Sequence, residues 1–330
     1  MRRARVALLS TAATLTAVAA AAALTTATTA ALLAAASGES PAPSAAEGSE
    51  MIAGSVAEVR RGAGTSALSG FDVVEFARAL AVTEVPARAS ASGARVLVVP
   101  HYWPAGRLIV GGLRSASPRD CERVVLVGLD HHAAGGSAAV TSYGSWPTRF
   151  GLVMPDRSAI ARLTRLGGLV TVDHETLAGE HSVAGLVPVL AYFAPGAEVV
   201  PLALRADMRP RDVDRLAEAI AKLADDRTLV VAPVDFAHYV APVTAREMDR
   251  ETLEAVRRRD WRRVLSFGDE HVDGRAALAT ALAVADQLGA TRFDLVGRMD
   301  GGQMPGYSGG DVTSFVSGYF SQPPDSPVGP

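Results

Sequence analysis

Val124-Val125-Leu126-Val127-Gly128-Leu129-Asp130-His131-His132 decides the fold. A short, unbroken run of mostly β-branched residues, bounded by polar ones, reads as a buried central strand over Arg123–Leu129. It ends in Asp130, His131 and His132. Ligands of open α/β sheets collect just beyond the carboxyl ends of strands. Two further runs end in the same way: residues 96–99 lead through Pro100 into His101, and residues 228–234 lead into Asp235, Phe236, Ala237 and His238. Three strand ends that each deliver histidine point to one site.

Outward from this stretch the pattern is regular. Strands are expected over 96–99, 123–129, 168–172, 198–204, 228–234, 293–298 and 313–319, with an edge strand over 138–142 that Pro147 soon interrupts. Helical spacing of apolar residues covers 71–81, 108–115, 156–166, 182–193, 211–223, 245–257 and 274–288. Pro188 inside the fourth of these predicts a kink or a later start. The alternation argues for an α/β protein: a single domain with a central, mostly parallel mixed sheet flanked by helices on both faces.

The N-terminus differs in kind. Arg2, Arg3 and Arg5 precede an Ala-, Thr- and Leu-rich run without charge until Glu39. A basic head, an apolar body and small residues before Ser37 read as an export signal or an uncleaved membrane anchor over 1–36. The domain would then lie outside the cytoplasm. Residues 37–50 are linker-like, and the α/β domain is expected over 51–325. The 330-residue chain carries 32 Lys and Arg against 35 Asp and Glu, so nucleic acid is not an expected partner. Its single cysteine, Cys121, excludes a disulfide framework and a cysteine-based zinc site.

All seven histidines fall between His101 and His271. Neutral imidazoles beside carboxylates suit iron, zinc or copper. By their strand-end placement His101 and His131 form the best ligand pair; the alternative is that they only hydrogen-bond loop backbone. His174-Glu175-Thr176-Leu177-Ala178-Gly179-Glu180-His181 is superficially similar to a zinc-protease motif but lacks histidines four apart. Glu180-His181-Ser182 reads instead as a loop entering a helix, with His181 either an acid/base or substrate-binding group or part of a turn. Gly306-Tyr307-Ser308-Gly309-Gly310 matches a nucleophile elbow, yet no histidine follows it, and a glycine-rich turn is the better account.

Val99-Pro100-His101, Gly128-Leu129-Asp130-His131-His132, Gly179-Glu180-His181-Ser182, Val234-Asp235-Phe236-Ala237-His238-Tyr239 and Asp273-Gly274-Arg275 together resemble the Memo-like family, also called AmmeMemoRadiSam system protein B. The resemblance spans about residues 90–322. It implies a fold like that of the class III extradiol dioxygenases, whose iron is held by two His and a carboxylate. Members hold a Pro-His histidine, the first of a His-His pair and a cysteine in the corresponding pocket. By that correspondence the ligands are His101, His131 and Asp273, with aspartate in place of cysteine. The change favours a divalent metal such as Fe(II), with zinc or copper as alternatives. Read without the resemblance, Asp273 is a helix cap. By the same resemblance His238 is a candidate general base, with Asp235 orienting it or holding the loop, and Tyr239 a candidate hydrogen-bond donor to substrate; Glu180 and His132 are further expected substrate contacts. Two functions follow: a metal-dependent oxidoreductase acting on a small molecule, or a non-catalytic protein that binds a peptide or small ligand in the same pocket. Membrane attachment is expected only through the N-terminal segment.

Overall fold

The computed structural model describes residues 71–83 and 93–323, which belong to one compact unit, Gly64–Pro330. The expected leader, linker and domain boundaries lie outside the described residues. Among these residues no helix is long and apolar enough to cross a membrane.

The main sheet has eight strands, numbered by chain order. In spatial order they are Val170–Val172 (β6), Ala139–Thr141 (β3), Glu198–Leu204 (β7), Arg123–Leu129 (β2), Thr228–Pro233 (β8), Ala94–Val99 (β1), Ser314–Ser321 (β10) and Arg292–Asp300 (β9). The inner four, β7-β2-β8-β1, run parallel. They are flanked by antiparallel neighbours, β3 on β7 and β10 on β1. The helices are Val73–Val82 (α1), Gly106–Ala116 (α2), Arg157–Leu163 (α3), His174–Gly179 (α4), His181–Ala184 (α5), Val187–Phe193 (α6), Pro210–Ala221 (α7), Pro242–Arg258 (α8), Trp261–Leu265 (α9) and Arg275–Gln287 (α10).

Alternation along the inner strands explains their unbroken apolar sequence. Val96, Val98, Val125, Val127, Val230 and Ala232 join a core with α7, α9 and α10. Leu97, Val99, Val124, Leu126, Leu229 and Val231 join a second core with α1, α2 and α6. A strand covered on both faces needs apolar residues at every position. In α10, six alanines from Ala276 to Ala285 are all at most 2% exposed. Their small side chains let this helix lie close to the sheet, which brings its first turn to the end of β8.

The fold is as expected: α/β, with a mixed, mostly parallel sheet covered on both faces. Several details differ. The segment expected as an edge strand is interior, because β3 is paired with both β6 and β7; the Thr141 hydroxyl donates to the Pro201 carbonyl at 2.8 Å. Pro147 does not end structure there but sits in a small hairpin, Trp146–Thr148 (β4) with Gly151–Val153 (β5). The expected helix over 182–193 is broken into α5 and α6, and Pro188 lies in the first turn of α6, where no N–H is needed. Helices α4 and α9 were not read from the sequence. The segment Gly306–Gly310 is an exposed turn, closed by the Tyr307 hydroxyl donating to the Gly310 carbonyl.

Candidate metal centre

Three inner strands end side by side, and each delivers one part of the site. His101 follows β1, Asp130 and His131 follow β2, and Asp235 follows β8. Two glycines let the remaining parts approach. A Cβ on Gly128 would lie 2.7 Å from both Ser182 Oγ and Val183 Cγ2, so only glycine admits α5 against β2. Ser182 Oγ then bonds both the Leu129 N–H and carbonyl at 3.2 Å. A Cβ on Gly274 would lie 2.6 Å from Val234 Cγ1. Glycine there lets the start of α10 press on the end of β8 and places Asp273 in the cluster.

Asp273 is not a helix cap. Gly274 holds that position, with no side-chain cap bond. Asp273 Oδ1 accepts the Asp235 N–H at 3.0 Å, and Asp235 Oδ1 accepts the His101 N–H at 3.1 Å. These bonds turn the second oxygen of each carboxylate toward the imidazoles. Asp273 Oδ2 lies 3.4 Å from His101 Nε2, 3.9 Å from His131 Nε2 and 3.8 Å from His238 Nε2. Asp235 Oδ2 lies 3.8 Å from His101 Nε2 and 3.9 Å from His238 Nε2. Asp273 Oδ2 and His238 Nε2 are buried and have no hydrogen-bond partner. Burial and the neighbouring Asp235 raise the Asp273 carboxyl well above the usual carboxylate range. Burial, opposed in part by Asp235, holds the His101 imidazole below its ordinary pKa.

Glu180 explains how His131 is aimed. Its side chain is 3% exposed. It accepts the His131 N–H at 2.9 Å, the Ser182 N–H at 2.9 Å and His131 Nδ1 at 2.7 Å. Burial alone would raise its pKa, but the His131 hydrogen bond and charge, with the two backbone amides, outweigh it and lower the pKa to about 2. An ionised carboxylate only accepts, so His131 Nδ1 is the donor, and the ring is turned with Nε2 toward Asp273 Oδ2 at 3.9 Å. Carboxylate–histidine pairing of this kind orients metal ligands in general.

The residues fit a cation. An orphaned carboxylate oxygen ringed by imidazole nitrogens at these distances makes no hydrogen bond. Ligands to such ions approach to about 2.0–2.2 Å, so modest closure around a shared centre suffices. Among the described residues, two groups have donor atoms mutually within 4.8 Å: His101, His131 and His181, and His101, Asp235 and Asp273. Neither group holds all three ligands expected from the sequence: His101 belongs to both, His131 to the first and Asp273 to the second, with Asp273 Oδ2 within 4 Å of the Nε2 atoms of both histidines.

A cavity of about 480 Å³ opens beside this cluster, lined by His101, His131, His181, Asp235 and His238 together with Tyr102, Met304 and Phe315. Tyr102 stacks on Phe315 with centroids 5.6 Å apart. Tyr239 stands at the mouth, 78% exposed, in left-handed backbone at φ 52°. Two expected substrate contacts are elsewhere. Glu180 lies beneath His131 with its oxygens engaged, and it and exposed His132 line a second hollow of about 440 Å³ with Asp130, Asp173 and Glu175. His174, the first histidine of the rejected protease-like motif, pairs with Ser142 Oγ at 2.7 Å.

One supporting residue escaped the sequence reading. Asp249 of α8 is fully buried and accepts the Ala237 N–H at 3.3 Å, Arg298 Nε at 2.8 Å and the Ser314 hydroxyl. It clamps the loop that carries Asp235 and His238 to β9 and β10. An aspartate in the middle of an amphipathic helix gives no local signal of that role.

Fold and cluster together define an α/β protein with a histidine- and aspartate-lined pocket at the carboxyl ends of its parallel strands. The chain belongs to the Memo-like protein family, which it matches over residues 75–317. It is 26% identical over 230 residues to a MEMO1 family protein of Nitrosopumilus maritimus, covering 68% of this chain and 82% of that one. It is 28% identical over 238 residues to a MEMO1 family protein of Sulfolobus acidocaldarius, covering 69% and 81%. Among solved structures, an uncharacterized protein from Escherichia coli K12 is similar with a TM-score of 0.46 and 14% identity, over 68% of this chain and 99% of that one.

Proposed function

We propose that the pocket is the active site of a metal-dependent oxidoreductase of the non-haem iron type, acting on a small molecule. The observation that carries this reading is Asp273 Oδ2, buried, without a hydrogen bond, and within 4 Å of the Nε2 atoms of His101, His131 and His238. His101, His131 and Asp273 would hold the ion, with Asp235 beside them. An iron(II) ion bound there would supply redox and Lewis-acid chemistry to a molecule in the adjoining cavity. The chain's own groups have separate tasks. Glu180 fixes the His131 ring so that Nε2 faces the cluster. His238 receives or returns a proton at Nε2, where the structure leaves it unpartnered. Tyr102 and Phe315 present an apolar wall that orients a small substrate and keeps water from it, and Tyr239 borders its way in. The cavity volume is that of a small-ligand site.

The test is metal content of the full-length chain purified without oxygen, beside Asp273→Asn. Near-stoichiometric iron in the first and its loss in the second are expected. If neither chain holds metal after reconstitution, the enzyme reading fails and the pocket is a binding site without metal chemistry.

A further inference from the structure

The cavity beside the cluster has a charge pattern that a metal site does not need. Among the described residues no lysine or arginine lines it. The cluster forms one part of its lining, and the exposed part carries Tyr102, Tyr239 and Asp311. Asp235 is committed, since its Oδ1 accepts the His101 N–H and its Oδ2 faces imidazoles. Asp311 is not: among the described residues its carboxylate makes neither a hydrogen bond nor an ion pair. Asp235 and Asp273 would balance a divalent ion in the cluster, which leaves Asp311 as the uncompensated charge of the pocket.

Aromatic rings share that exposed part. Tyr102 stacks on Phe315 with the rings 14° from parallel, yet is 49% exposed. Tyr239 stands in left-handed backbone, which is unfavourable for a residue with a Cβ. The next residue, Val240, holds it there by exchanging two backbone hydrogen bonds with Val312, at 3.2 and 2.8 Å. Asp311 directly precedes Val312, so Tyr239 and Asp311 sit on the two strands of one bridged rim. An aromatic face attracts a cation through its quadrupole, and a carboxylate does so through its charge. A quaternary ammonium suits these walls best. It donates no hydrogen bond, so it leaves none unmade against Tyr, Phe, Met304 and Val312.

We propose that the small molecule this pocket takes is an organic cation, an alkylated ammonium whose charged head is held at the mouth by Tyr102, Tyr239 and Asp311 and whose other end points toward the histidine–aspartate cluster. The proposal rests on the reading of this pocket as a small-molecule site and names the class of molecule. Anionic ligands are disfavoured there, because they would meet Asp311 with no cationic side chain in the lining to offset it.

The test is calorimetric titration of the full-length chain with three probes of one shape and different charge: choline, neohexyl alcohol, which has carbon in place of the nitrogen, and the carboxylate of tert-butylacetic acid. Choline is expected to bind at least about tenfold more tightly than the alcohol, and the carboxylate more weakly than either. Asp311→Asn, at an exposed and unpartnered position, should fold as wild type, weaken choline about threefold and leave the alcohol unchanged. Tyr102→Leu keeps an apolar wall without a ring and should weaken choline about fivefold, more than it weakens the alcohol. Choline binding no tighter than the alcohol, choline affinity indifferent to both variants, or no binding of any probe at millimolar concentration each overturns the proposal. Metal content is measured on the same preparations. If metal is held while choline shows no preference, the ammonium proposal falls and the metal-centre reading survives. If choline is preferred and no metal is held, the metal-centre reading falls and the ammonium site stands.

Discussion

Glu180→Gln isolates the charge beneath His131 while nearly preserving shape. The carboxylate is 3% exposed and accepts two backbone N–H groups and the His131 ring. Glutamine has one acceptor oxygen and one amide donor, so at least one of these three donors meets another donor in the interior. A fall in pKa from the ordinary 4.5 to about 2 corresponds to about 3 kcal/mol at 1.36 kcal/mol per decade. At this burial little is lost to solvent screening. Because the folded-state pKa lies below the unfolded value, this stabilisation is fully present above pH 4.5 and is lost as pH falls toward about 2. Urea unfolding of both chains across that window is the assay. The variant should be about 3 kcal/mol less stable at neutral pH, and the difference should shrink to near zero at the acid end. Metal affinity should fall roughly 10- to 100-fold, since the imidazole loses the partner that fixes its tautomer. A variant within about 0.5 kcal/mol of wild type at neutral pH, or a difference independent of pH, would refute the placement of an ionised Glu180 under His131.

Gly274→Ala introduces a Cβ 2.6 Å from Val234 Cγ1, and overpacking of this kind costs about 1–3 kcal/mol. A lowered Tm, partly recovered by adding Val234→Ala, is expected; no recovery would count against the steric account. Asp249→Ala strands the Ala237 N–H, the Ser314 hydroxyl and Arg298, and at about 1–3 kcal/mol for a stranded buried donor the loss should be about 3 kcal/mol. Metal binding should persist in the folded variant, because Asp249 belongs to neither ligand group; an unchanged denaturation midpoint would sink the clamp.

The sequence by itself determined the architecture and the strand ends at which the candidate site lies. Runs such as Val124–Leu129 announce strands buried on both faces, because alternate residues must serve two cores. Histidines just past their carboxyl ends then mark the site, and the ordered blocks around them pointed to the Memo-like family that the comparisons support. Only tertiary structure decided how the parts meet. Strand neighbours are chosen by long-range pairing, so residues 139–141 proved interior although their local sequence resembled an edge. The close packing of α5 on β2 at Gly128 is something a helical apolar pattern cannot reveal. Glu180 reads as a pocket residue in sequence, yet burial makes it the support of His131. His132 adjoins a ligand candidate in the chain, yet turns to another hollow. Asp273 meets Asp235 because Gly274 lets the start of α10 press against Val234 at the end of β8. Periodicity reports which residues are buried; which buried groups face one another depends on contacts between segments far apart in the chain, and those exist only once it has folded.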